Sequence, residues 1–107
     1  MTTLCATSQV IFANRDWPKA WQGDYQGQRN AAFCRSNSCD GAVQLNQAEA
    51  CAWRAIILAA HIDESNDTDS TNLNIDCGKL DEAGAALATT KAESMFRRIY
   101  GKDMPSR

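Results

Sequence analysis

Proline is scarce in this chain, two residues in 107, and β-branched residues do not cluster. Little is present to break helices and little to build strands, so a mostly helical fold is expected. No run of 18 apolar residues occurs, so no transmembrane helix is expected. A single histidine, His61, leaves no room for a histidine-rich metal site or a Ser-His-Asp triad. The glycines at 23, 27, 41, 78, 84 and 101 are scattered and fit neither the dinucleotide-binding nor the P-loop pattern. A formal charge of -2 offers no basic footprint for nucleic acid. These absences point away from an enzyme and from any cofactor or metal.

Cysteine, by contrast, is abundant: five residues, at 5, 34, 39, 51 and 77. Their spacing is not that of a zinc site. Read as disulfides, they place the protein in an oxidising compartment, periplasmic or secreted. The segment Cys-Arg-Ser-Asn-Ser-Cys turns back on itself at a helix end, which predicts a Cys34–Cys39 bridge. A Cys51–Cys77 bridge would tie two helices together across an acidic loop, the alternative being two separately buried thiols. Cys5 is left over, free or lipid-bearing. The N-terminal residues carry neither a basic region nor a long apolar one. The bridged reading therefore implies a mature segment whose export signal has been trimmed off and to which Met1 was added.

The length supports one domain, read as a leader over 1–16 and a helical unit over 17–107. Val10, Ile11 and Phe12 form an apolar patch, either a strand or a first helical turn. Asp16-Trp17-Pro18 has the form of a helix start, with Asp16 or Trp17 capping. A first helix is expected over 18–35. Gly23 and Gly27, four apart, would let another helix approach it closely, the alternative being a break at Gly23. Turn formers fill a loop over 36–45. Asn46 and Glu49 form a capping-box-like pair before a second helix over 47–62, apolar nearly all round and so expected to be central. Residues 63–71 read as a solvated acidic loop; Asp63, Asp67 and Asp69 do not match a calcium loop. A third helix is expected over 71–86, with Leu73, Cys77, Leu80, Gly84 and Leu87 in register. Thr90 and Glu93 suggest a fresh start for a fourth, with Ala92, Met95, Phe96, Ile99 and Tyr100 facing inward and Gly101 ending it. His61 reads as a helix-end histidine beside Asp63 and Glu64.

Residues 23–53 hold a repeat-like grammar: Gly23-Asp24, Gln28, Asn30 and Ala32 on a first helix, then Gly41, Val43, Asn46, Glu49-Ala50 and Trp53 leading into a second. In this the chain resembles the Sel1-like repeat family, relatives of the tetratricopeptide repeats. The resemblance implies an all-α fold, a helix–turn–helix unit with two C-terminal capping helices, and a protein-interaction role without catalytic residues. One full repeat is present where solenoids have several, so disulfides would stand in for neighbouring repeats. Trp17, Trp21, Tyr25 and Arg29 share one side of the first helix and are of the types that dominate binding hot spots. They are either a partner-facing patch or the cover of a small core, and the loops over 36–45 and 63–71 are the next candidates. The resulting expectation is a periplasmic interaction module, by family analogy an immunity or inhibitor protein against a secreted toxin or effector. The competing expectation is an envelope-associated lipoprotein with a lipidated Cys5.

Overall fold

The computed structural model describes residues 11–39 and 44–105. Cys5, Val10, Gly41 and Val43 thus lie outside the described residues. Among those described, every regular element is a helix. A π-helical turn, Phe12–Asp16, runs directly into α1, Trp17–Trp21; then follow α2, Tyr25–Asn37, α3, Gln47–Ala60, α4, Asp67–Gly78, and α5, Glu82–Tyr100. No helix is long and apolar enough to cross a membrane among the described residues.

The N-terminal patch is helical at Ile11 and Phe12, and no new helix starts at Asp16. Asp16 has helical dihedrals and caps nothing with its side chain. The wider π turn lies just before Pro18, whose ring would otherwise press on the carbonyl four residues back. The helix expected over 18–35 is broken in two. Gly23 takes φ +92°, a left-handed conformation that ends α1, and Asp24 then caps α2 by accepting from Gly27 N–H at 2.7 Å. Gly27 does allow a close approach: a Cβ there would stand 2.8 Å from Lys19 Cβ and 2.9 Å from Ala20 N, so α1 crosses α2 at this point. Gly23 contributes the turn instead of a helix face.

Asn46 caps α3 through Glu49 N–H at 3.0 Å. The Glu49 carboxylate does not close the box; it pairs with Arg35 at 2.9 Å. The acidic stretch is shorter than expected, because Asn66 and Asp69 form a full capping box and α4 starts at Asp67. The next break falls at residues 79–81, not before Thr90. Asp81 caps α5 through Gly84 N–H at 2.7 Å, while the Thr89 and Thr90 hydroxyls donate back to the Ala85 and Ala86 carbonyls inside one continuous helix. Leu87, expected in the buried register, is consequently half exposed. Gly101, at φ +72°, ends α5 as anticipated.

α3 is the axis of the fold: α2, α4 and α5 each pack against it. Its Trp53 and Ile56 join Ala20, Ala31, Ala32, Ala52, Ala92, Met95 and Phe96 in the main core. Alanine dominates that list, so backbones approach closely and two large side chains, Trp53 and Phe96, fill the centre. A smaller cluster of Ala48, Cys51 and Ala88 lies at the other end of α3.

Candidate interaction surface

The four side chains expected to face a partner divide into two pairs. Trp17 and Trp21 pack against the main core from its edge. Their rings stand 6.1 and 5.4 Å from that of the fully buried Trp53, both nearly perpendicular to it. The Arg35 guanidinium covers Trp17 at 5.1 Å and that of Arg98 covers Trp21 at 4.8 Å. Both tryptophans of α1 thus pack on the core edge and remain partly exposed.

Tyr25 and Arg29 turn the other way, to Asp69 on α4. The Tyr25 hydroxyl donates to Asp69 Oδ2, Arg29 Nε pairs with Oδ1 at 3.2 Å, and the Asn66 N–H donates to Oδ2 at 3.2 Å. Asp69 is 1% exposed, which corrects its reading as part of a solvated loop. Burial, followed by the hydrogen bond to Asp69, raises the Tyr25 phenol above its usual pKa. Arg29 also lies over the Tyr25 ring, 5.2 Å from its centre.

A second buried carboxylate repeats the arrangement seven residues on. Asp76 receives Arg54 Nε at 2.9 Å and the Ser36 hydroxyl at 2.8 Å, and its backbone carbonyl accepts from Gln47 at 2.8 Å. Arg54 and Asp76 are both almost fully buried, and a lone charge there would be expensive. Asp69 and Asp76, two helical turns apart, therefore bind α4 to α2 and α3 along one polar seam. Sequence reasoning missed Asp76 and Arg54. The available signal was the spacing Asp69, Asn72, Asp76 on one face of an otherwise weakly apolar helix.

At the far end of α3 a third polar group closes the bundle. Gln28, fully buried, donates from Nε2 to the Ala20 carbonyl at 3.1 Å and to the Tyr100 hydroxyl at 3.0 Å. Its Oε1 lies 3.0 Å from His61 Nε2, and His61 Nδ1 lies 3.1 Å from Glu64. His61 indeed ends a helix, and its ring ties α2, α3 and the following turn. Burial raises the Tyr100 phenol as well.

The two expected bridges are present: Cys34 is bonded to Cys39 and Cys51 to Cys77. The first follows the left-handed Ser38 that stops α2, where the Ser38 N–H donates to the Cys34 carbonyl at 2.7 Å. The second joins α3 to α4. Beside it, an apolar hollow of about 350 Å³ lies between α4 and α5, with Ala55, Leu73, Ala88 and Met104 among its walls. On the opposite side, Gln26, Arg29, Asn30 and Phe33 of α2, Arg54 of α3 and Asn72 of α4 line a polar cleft of about 210 Å³. Phe33 stays 53% exposed there, and Ile75, one turn beyond Asn72, is 51% exposed. No group of metal-ligating side chains is found among the described residues.

No family model, curated protein or solved structure matches this chain.

Proposed function

We propose that this protein is a non-enzymatic protein-interaction module of the bacterial periplasm, of the kind that holds a secreted toxin or effector inactive. The observation that carries the reading is a rigid frame presenting binding-type side chains. The Cys51–Cys77 bridge and the Arg29–Asp69 and Arg54–Asp76 ion pairs tie α2, α3 and α4 together, and Cys34–Cys39 closes the turn after α2. On that frame Phe33 stays half exposed on the cleft wall with Arg29, and Ile75 is half exposed on α4. Large side chains held in place before binding lose little freedom on association, which favours tight complexes. Two internal disulfides in a chain this small also suit an oxidising compartment. The antiparallel α2–α3 pair, with Arg35 beside Asn46 at one end and Gln28 beside His61 at the other, is the kind of unit a Sel1-like repeat would supply.

The test is capture of a defined partner from periplasmic extract by the oxidised chain, followed by affinity measurements on Arg29→Ala, Phe33→Ala and Trp21→Ala. A true anchor loses about 2 kcal/mol or more of binding energy when truncated, with the fold intact. Loss at Arg29 or Phe33 supports the reading. Parent-like binding by all three folded variants sends the interface elsewhere, first to the loops over 36–45 and 63–71.

The second reading, an envelope-associated lipoprotein, is favoured by one fact: both bridges are made without Cys5. Mass measurement of the protein from native membranes decides it. A diacylglyceryl adduct at Cys5 supports anchoring, and an unmodified thiol rejects it.

A further inference from the structure

The polar cleft between α2, α3 and α4 is built differently from a solvated surface groove. Both of its cations are held in place from behind. Arg54, almost fully buried, engages Asp76 through Nε, and its terminal nitrogens make no hydrogen bond to a described residue. Arg29 engages Asp69 through Nε and is flanked by the Tyr25 ring. Neither aspartate lines the cleft, and the lining contains no carboxylate of its own. Each aspartate also accepts from neutral donors, the Tyr25 hydroxyl and Asn66 N–H at Asp69 Oδ2 and the Ser36 hydroxyl at Asp76 Oδ1, while Asp69 Oδ1 faces Arg29 alone. Lys79 stands 4.0 Å from Asp76. Lys79 does not line the cleft, so the positive edges that reach it are those of Arg29 and Arg54, each backed by one carboxylate.

We propose that this cleft is a binding site for a single carboxylate, supplied as the side chain of a glutamate or aspartate on a protein partner. Arg29 Nη1 donates to Gln26 Oε1 at 3.4 Å, which leaves its Nη2 and the outer edge of Arg54 to meet the planar, two-oxygen shape of a carboxylate. The carboxamide of Asn72 supplies a further donor beside it, while those of Gln26 and Asn30 donate to Asn30 Oδ1 and Asp16 Oδ1. The volume, about 210 Å³, is below the roughly 300–1,000 Å³ of pockets for larger small molecules, and takes an acidic side chain. Phe33, half exposed on the wall, receives the apolar surface next to such a residue. The carboxylate chemistry stands on the cleft alone; its assignment to a protein side chain rests on the interaction reading above.

The experiment is nuclear magnetic resonance of the intact, oxidised chain, read at the Nε–Hε signals of Arg29 and Arg54. The probes are N-acetyl-glutamate amide, its neutral counterpart N-acetyl-glutamine amide, succinate and inorganic phosphate. Saturable shifts at both arginines with the glutamate probe, and none with the glutamine probe, are expected. Asn72→Asp places a carboxylate in the lining and should weaken the glutamate probe roughly tenfold or more. Asn72 is partly exposed, and Asn72→Ala controls for loss of the amide. No saturable shift with the glutamate probe, or an equal response to the glutamine probe, overturns the site. Tighter binding of phosphate overturns the carboxylate assignment. Tighter binding of succinate overturns the side-chain source and leaves a small dicarboxylate as ligand. A bound glutamate probe without any periplasmic partner sinks the interaction reading and keeps the site.

Discussion

The two sides of α3 are fastened by different chemistry. Toward α5 and α1 the contact is apolar: Trp53, Ile56, Phe96, Met95 and a set of alanines. Toward α4 it is covalent and ionic: Cys51–Cys77, Arg54 with Asp76, and Gln47 on the Asp76 carbonyl. The two residues that α4 buries fully are both aspartates, Asp69 and Asp76. A helix so poor in apolar surface gains little from leaving water, so it is fixed by bonds of defined geometry. The apolar side supplies stability, whereas the polar side supplies position, and the proposed carboxylate site lies on the polar side.

Trp53→Ala removes the largest buried side chain of the apolar side and is expected to cost about 3–5 kcal/mol. The whole chain should lose cooperativity together, as followed by denaturant unfolding. On the polar side, Asp76→Ala strands a buried Arg54, with an expected cost of about 3–5 kcal/mol. Hydrogen exchange should rise first in α4, while Phe96 and Trp53 keep their native environment. Replacing Cys51 and Cys77 together by alanine frees a 26-residue loop and is expected to cost about 3.5 kcal/mol, again focused on α4. If both polar-side changes instead melt α5 as readily as α4, the division drawn here is wrong.

Smaller effects sharpen the same contrast. Tyr25 marks the polar side and Tyr100 the apolar end, and both phenols are raised by burial. The native chain therefore holds protons that the unfolded chain releases near pH 10. Stability from both groups is complete below that pH and falls as pH rises through the native values. Absorbance titration should show native tyrosines ionising later than those in denaturant, and Tyr25→Phe should remove part of the lag. Last, Gly78 ends α4 with open space around it and no left-handed dihedral. Gly78→Ala should stabilise by roughly 0.4–1 kcal/mol, seen as a small rise in Tm.

Much of this was legible beforehand because α3 advertises itself: few other stretches are apolar on every face, and Asn46 marks its start. The Cys34–Cys39 bridge was legible for a local reason, since a helix end and an adjacent turn bring those cysteines close, whereas Cys51–Cys77 was read from two helices flanking one loop. The breaks were not. Gly23 and Gly27 look alike in sequence, yet one makes a turn and the other a helix crossing, a choice settled by what lies opposite. Thr90 has the form of a cap, but a helix already running through it turns its hydroxyl to Ala86. Asp69 sits among acids that read as solvent-facing, and its burial depends on Tyr25 and Arg29, 44 and 40 residues away in the chain. Long-range pairing of this kind leaves no local periodicity.

Nine of the fourteen residues of α3 are buried, and they include Glu49 and Arg54 as well as its apolar positions. Most helices tolerate substitution in a rhythm, a permissive residue recurring every turn where the side chain meets water. For α3 that rhythm should be almost erased: a scan of all single replacements would return a nearly unbroken block of intolerance over 48–57. The same scan over α5, whose buried positions fall at Ala88, Ala92, Met95 and Phe96, would beat with the helical period. In descendants of this chain, α3 is accordingly where change should be slowest and α5 where it has the most room.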